Sequence, residues 1–220
     1  MKDPNQLRIL IADDHAIARR GLKDLLSIGE GWTVCAEAAT GREAVTLAEQ
    51  HRPDIAVMDI VMPELNGLEA TRKIRRLLPN TEVVILSLHY SDHLVQEVVD
   101  AGARAYVLKS DASKELLSAV KALANHQPYF TSSANEVLIR GLHNHDSTES
   151  PVSIHMALSS REREIVQLLA EGKSSKEVAG ALGISVKTAD THRANIMRKL
   201  RTHSVSELVR YAVKNHMIEP

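Results

Sequence analysis

The sequence has a single cysteine, Cys35, among 220 residues, so no internal disulfide can form and nothing points to an oxidising compartment. Aromatic residues make up only 3%, with one Phe and one Trp, which counts against a surface that stacks nucleic-acid bases. No uncharged apolar run approaches the ~18 residues needed to span a bilayer. The opening residues, Met1-Lys2-Asp3-Pro4-Asn5-Gln6, contain no apolar signal-peptide core. Excess charge is missing too: 27 Lys+Arg face 28 Asp+Glu, a net −1. That average argues against a nucleic-acid binder unless two halves of opposite sign cancel. The expectation is a cytoplasmic protein with no membrane contact, built as one large or two modest domains.

What is present is a regular alternation. Short runs rich in Val and Ile occur at Leu7–Ala12, Thr33–Ala38, Ile55–Met58, Val83–Leu86 and Ala105–Leu108. Amphipathic stretches of helical length lie between and after them. Thr40 with Glu43, and Asn66 with Glu69, have the spacing of helix-starting capping boxes. Five such units in a row predict an α/β doubly wound, five-stranded parallel sheet covered by helices on both faces. From Leu142 to Pro151 the chain turns polar and reads as a linker, with a short helix expected around Leu138 and Ile139. His143 and His145 lack Cys or carboxylate partners there and read as solvated rather than metal-binding. Beyond Ala157, Ser159–Glu162, Ser174–Glu177 and Ser204–Glu207 repeat the capping-box spacing, and Ser185 can cap a further helix. Four helices are expected, roughly 159–171, 174–182, 185–200 and 204–216.

The charge splits along the same line. Residues 151–220 carry 11 Lys+Arg and 7 Asp+Glu, hence +4, and residues 1–150 carry 16 and 21, hence −5. In the first part, Asp13 and Asp14, Asp59, Ser87 and Lys109 each follow an apolar run. In an open parallel sheet these positions share the carboxyl edge, where ligands bind. Taken singly, each reads as an ordinary turn or solvated residue; together they place three carboxylates, a hydroxyl and an ammonium at one crevice. Crowded carboxylates repel unless a cation compensates. An all-oxygen donor set suits Mg²⁺ rather than Zn²⁺. A carboxylate beside such an ion can carry a phosphoryl group as an aspartyl-phosphate, with Lys109 and Ser87 holding the transferred group.

Ile9-Leu10-Ile11-Ala12-Asp13-Asp14-His15, Val57-Met58-Asp59-Ile60-Val61-Met62-Pro63 with Asn66-Gly67, then Ser87 and Lys109, resemble a response-regulator receiver domain over about residues 5–125. The resemblance implies that Asp59 is the phosphoacceptor. It implies that Asp14, Asp13, Asp59 and the Val61 carbonyl hold Mg²⁺, that Ser87 and Lys109 bind the phosphoryl group, and that Tyr106 is the aromatic switch. Ser110 stands where many receivers have a proline, which leaves the geometry of the Lys109–Ser110 peptide open. His89, two residues beyond Ser87, is near enough to affect hydrolysis of the phosphoaspartate, or is a solvated loop histidine.

The second part reads as helix, tight turn, helix, with Gly183 in the turn and small Ala179 at the helix crossing. Lys173 to Arg201 holds seven Lys/Arg against two acids, an attraction for phosphate. Leu158-Ser159-Ser160-Arg161-Glu162-Arg163-Glu164, Glu171 to Ala179, and Thr188 with His192 to Leu200 resemble a four-helix LuxR-type DNA-binding domain. The whole chain therefore resembles a NarL/FixJ-family response regulator. That implies a receiver over 1–127, a linker over 128–154 and a LuxR-type helix-turn-helix domain over 155–220. It also implies a bacterial sensor histidine kinase as phosphodonor, double-stranded promoter DNA as target, and a homodimer formed on phosphorylation. Enzymatic activity would be limited to slow self-dephosphorylation.

On that resemblance Lys187, Thr188, Asp190, Thr191, Arg193 and Ala194 lie at or beside the base-reading face. Lys173, Lys176, Arg198 and Lys199 are candidates for phosphate contacts. Asp190 stands where several relatives are basic, and a carboxylate repels phosphate while accepting from cytosine. Ser175 replaces a common Asn. In the family the recognition helix often contacts the unphosphorylated receiver. The opposite signs of the two parts also predict that they attract each other when no phosphate is present. Two other readings stay open at this point: a Mg²⁺-dependent phosphatase or phosphotransferase that turns over on Asp59, and an output domain for protein or RNA. A serine hydrolase on Ser87 lacks any Gly-x-Ser-x-Gly elbow.

Overall fold

The computed structural model describes residues 6–131, 134, 136–137 and 158–219. Leu138, Ile139, His143 and His145 lie outside them. The strands are β1 (Leu7–Ala12), β2 (Trp32–Ala38), β3 (Ile55–Asp59), β4 (Glu82–Ser87) and β5 (Ala105–Leu108). They form one sheet in the order β2-β1-β3-β4-β5, every neighbouring pair parallel. The helices are α1 (Ala16–Leu26), α2 (Gly41–His51), α3 (Gly67–Leu77), α4 (Asp92–Asp100) and α5 (Ala112–Ala124).

Alternation along buried strands assigns the two faces. Leu10, Ala12, Met58 and Ile85 pack with Ala44, Leu68, Ile74 and Val95 of α2, α3 and α4. Ile9, Ile11, Val57 and Val84 pack with Leu22, Leu26, Leu116 and Val120 of α1 and α5. Both faces are apolar, which is why these strands read as continuous hydrophobic runs. Order reverses between β1 and β3, so their carboxyl ends open the crevice that holds Asp13, Asp14 and Asp59.

Among the described residues, four further helices make the second domain: α6 (Ser160–Ala170), α7 (Ser175–Leu182), α8 (Val186–Leu200) and α9 (Val205–Lys214). They bury Ile165, Val166, Leu169, Val178, Ile196 and Leu208 in a core of their own. Ser159 and Ser174 make full capping boxes with Glu162 and Glu177. Ser204 caps Glu207, whose carboxylate reaches one residue further back to the His203 amide at 2.7 Å. The α7–α8 turn depends on Gly183, at φ 63°.

One contact between the two domains is made by α6 and its C-cap residue Glu171. Gln167, fully buried, donates to the Met62 carbonyl at 2.8 Å and accepts from the Asn66 amide at 2.7 Å. Glu171 accepts from the Glu64 amide at 2.9 Å. Glu164, 3% exposed, pairs with Lys73 at 2.7 Å and lies 3.8 Å from Arg42, while Arg163 pairs with Glu69. Arg163–Glu69 has the polarity expected from the charge split, whereas Glu164 with Lys73 and Arg42 has the reverse.

Candidate functional site

Strand ends set the site. β1 ends at Ala12 and delivers Asp13, which is fully buried; its Oδ1 accepts from the His15 amide at 2.8 Å. β3 ends with Asp59, whose Oδ1 accepts from the Ile60 amide at 2.8 Å. β5 ends at Leu108 and delivers Lys109, which opens a 3-10 turn before α5. Its Nζ donates to Asp13 Oδ2 at 2.8 Å and to Asp59 Oδ2 at 2.7 Å. All peptide bonds among the described residues are trans, Lys109–Ser110 included. Gly67 starts α3 directly against this site: a Cβ there would stand 1.8 Å from the Asp59 carbonyl oxygen.

The electrostatics follow from the geometry. Burial raises the Asp59 pKa to about 6, and Lys109 only partly offsets this because its charge is shared with Asp13. Burial alone would lower the Lys109 pKa, yet the Asp59 and Asp13 carboxylates hold it above the usual lysine value. One ammonium thus compensates two buried carboxylates.

A third carboxylate lies alongside. Asp14 Oδ1 is buried and makes no hydrogen bond among the described residues, with His15 Nδ1 2.8 Å away. Asp13, Asp14 and His15 present ligand atoms within 4.8 Å of one another. A carboxylate oxygen that accepts no hydrogen bond among the described residues and has only the His15 ring beside it, next to two buried carboxylates, fits a divalent cation with a preference for oxygen. Val61 borders the cavities on both sides, one with Asp59 and one with Asp14.

Ser87 and Tyr106 converge on a different atom. Ser87 Oγ donates to the His89 carbonyl at 2.8 Å and accepts from the His89 amide at 3.1 Å. The Tyr106 hydroxyl donates to the same carbonyl, and its ring is buried. The sequence-identified residues therefore divide: Lys109 is bonded to both Asp13 and Asp59, while Ser87 and Tyr106 hold the β4–α4 loop.

On α8, Lys187, Thr188, Asp190, Thr191, Ala194 and Arg198 are exposed, and Ala189 and Ile196 are buried on the opposite side. This is one solvent-facing stripe at helical spacing. It is exposed with the receiver docked, so among the described residues this stripe does not make the expected contact with the receiver; α6 and His216 do touch it. Lys173 and Lys176 are exposed, and Arg193 is half-buried. Lys199 differs from the other basic residues, because its Nζ pairs with Glu162 at 2.6 Å.

The charge split predicts a domain contact but not the residues that make it. Those residues are Arg163, Glu164 and Gln167 on α6 and Glu171 at its C-cap, a polar stripe at helical spacing. Among the described residues, no helix is long and apolar enough to cross a membrane.

Residues 9–121 match the family described as response regulator receiver domain, and residues 156–212 match bacterial regulatory proteins of the luxR family. The chain is 37% identical over 219 residues to the oxygen regulatory protein NreC of Staphylococcus haemolyticus, covering 97% of this chain and 100% of NreC. It is 37% identical over 213 residues to the transcriptional regulatory protein LiaR of Bacillus subtilis, covering 96% and 99%. A structure of the RcsB response regulator of Salmonella typhimurium aligns with a TM-score of 0.65 at 25% identity, over 97% of this chain and 100% of that one.

Proposed function

Because this chain belongs to the NarL/FixJ-family response regulators, two-component transcriptional regulators that join a receiver to a LuxR-type DNA-binding domain, we propose that Asp59 is its phosphoacceptor and that phosphorylation controls its binding to promoter DNA. Its family is one of response regulators rather than of classical enzymes, and in this reading the phosphoryl group serves as a signal. The observation that supports the assignment is the single Lys109 ammonium bridging Asp13 and Asp59 at the carboxyl edge of the sheet.

In this reading a sensor histidine kinase in the bacterial cytoplasm, or a small acyl phosphate, presents its phosphorus to the free lone pair of Asp59. The new O–P bond forms as the bond from phosphorus to the donor breaks, and the electron pair leaves with the donor. Asp13, Asp14, Asp59 and the Val61 carbonyl would hold Mg²⁺, whose charge would offset that of the phosphoryl oxygens. Lys109 turns from the carboxylates to a phosphoryl oxygen. Ser87 leaves the His89 carbonyl to donate to another, which leaves Tyr106 as the side-chain donor to that carbonyl. These changes bias an existing equilibrium between closed and open arrangements. Two copies then present their α8 helices to successive major grooves, and Lys187, Thr188, Asp190, Thr191, Arg193 and Ala194 face the bases. Lys173, Lys176 and Arg198 bind phosphates, while Lys199 first has to leave Glu162.

The test is selection from a random duplex library with and without acetyl phosphate and Mg²⁺, with Asp59→Asn as control. A half-palindromic motif enriched only with the phosphodonor, and lost in Asp59→Asn, is expected. Equal enrichment in all arms would remove Asp59 from control of DNA binding.

A further inference from the structure

The cavity over Asp59, about 440 Å³, is not closed by the receiver alone. Ile60, Ser87 and His89 form its receiver side, and His216, Ile218 and Glu219 of the output domain face them. Ile218 and Glu219 also line the adjoining cleft beside Asp14 and Val61. The His216 ring stacks on His89, with centroids 5.6 Å apart and planes at 29°. Burial, together with His89 and His93 nearby, holds His216 below the usual histidine pKa. This segment is a fixed part of the output domain. The Met217 amide donates to the Ala212 carbonyl at 2.9 Å, and the Met217 side chain is 4% exposed in that domain's core.

We propose that the end of the output domain, Val213–Glu219, is a plug for the phosphoacceptor pocket, latched by the stacking of His216 on His89, and that plug and phosphoryl group exclude one another. The inference rests on the assignment of Asp59 as phosphoacceptor. Two physical effects drive the exclusion. A phosphoryl group brings up to about two negative charges into a cavity whose lining includes the acidic residue Glu219. Its recruitment of Ser87 also takes a hydrogen bond from the His89 carbonyl and loosens the loop on which His216 rests. By linkage, whatever phosphorylation does to the plug, the plug does to phosphorylation. With the α8 stripe exposed, the docked arrangement restrains phosphotransfer rather than hiding the DNA-reading helix.

The experiment uses the full chain. Histidine ring signals are followed by NMR on adding beryllofluoride with Mg²⁺, and phosphorylation by acetyl phosphate is timed on phosphate-affinity gels. The His216 and His89 signals are expected to shift together as the stack parts. His89→Ala and His216→Ala should each speed phosphorylation ~2–10-fold, the equivalent of one ring-stacking contact. The double variant should go no faster than the faster single one, because both substitutions remove the same latch. Unchanged melting and DNA binding in His216→Ala would show that the output domain is intact. The plug is overturned if beryllofluoride binds while the ring signals stay in place, or if neither substitution changes the rate. If wild type behaves as Asp59→Asn and takes up neither probe, the phosphoacceptor assignment fails first and the plug falls with it.

Discussion

Gln167 and Asn66 are joined across the domain boundary by a buried hydrogen bond of 2.7 Å, while the Asn66 side chain caps α3 by accepting from the Glu69 amide at 2.9 Å. The helix start that positions Gly67 against Asp59 is therefore the place where the output domain docks. Gln167→Ala would leave the Asn66 amide and the Met62 carbonyl unpaired, and a buried unpaired group costs ~1–3 kcal/mol. Opening the boundary to water relieves that cost. Small-angle scattering should show a larger radius of gyration, with the melting of each domain unchanged.

The ion pairs at this boundary predict a salt response. Glu164 faces Lys73 and Arg42, and Arg163 faces Glu69. Raising NaCl toward 1 M, where the Debye length is ~3 Å, should expand the molecule before either domain melts. Glu164→Gln should reach the same expansion at lower salt. Melting that precedes expansion would count against an electrostatic contribution to docking.

Asp59 makes the metal-free protein dependent on pH. Its pKa rises from 3.8 to about 6 on folding, so the folded state holds the proton more tightly than the unfolded state. Stability in EDTA should therefore fall as pH rises from about 4 to about 6 and then level off. Asp59→Asn should stabilise the metal-free protein above that window by up to ~3 kcal/mol, and the gain should vanish near pH ~4. Chemical denaturation at several pH values measures both. Added Mg²⁺ should erase the difference by supplying the missing positive charge.

Gly67→Ala tests how closely α3 approaches the site. The added carbon meets the Asp59 carbonyl at 1.8 Å, so the backbone has to move. A loss of ~1–3 kcal/mol is expected, as for overpacking in a tight interior, with slower phosphorylation because Asp59 shifts with its carbonyl. Calorimetry and a phosphorylation time course would report the two effects separately.

Lys187 and Lys199 should separate in DNA binding. Lys187 is exposed, whereas Lys199 is paired with Glu162 of a capping box. Lys187→Ala should reduce the slope of log affinity against log salt by ~0.9. Lys199→Ala should change that slope less and lower the melting temperature of the output domain. Equal slope changes would mean that Lys199 leaves Glu162 for a phosphate.

Much of this molecule was legible in its sequence, for definite physical reasons. β1, β3, β4 and β5 lie buried between layers of helices, so they read as plain apolar runs. The polar residue after each run then reads as a site residue, as Asp13, Asp59, Ser87 and Lys109 show. Ser159 and Ser174 identify their helices because capping depends only on neighbours in the chain. Gln167 and His216 could not be read this way. Their partners Asn66 and His89 are more than a hundred residues away, and their meaning depends on how two separately packed bodies meet. The present partners of Ser87 were equally hidden, since a hydroxyl at a strand end can turn either to the crevice or to its own loop.

The serine caps of the output domain also bear on the order in which the chain assembles. Each of its four helices is started by a side chain that bonds to an amide three residues ahead, so its nuclei form from local contacts. The receiver instead has to bring parallel strands together across intervening helices, which is the slower kind of topology. In refolding from denaturant, the DNA-binding helices should therefore be complete first. They would then wait for a sheet whose loops, once set, give Gln167 and His216 somewhere to land.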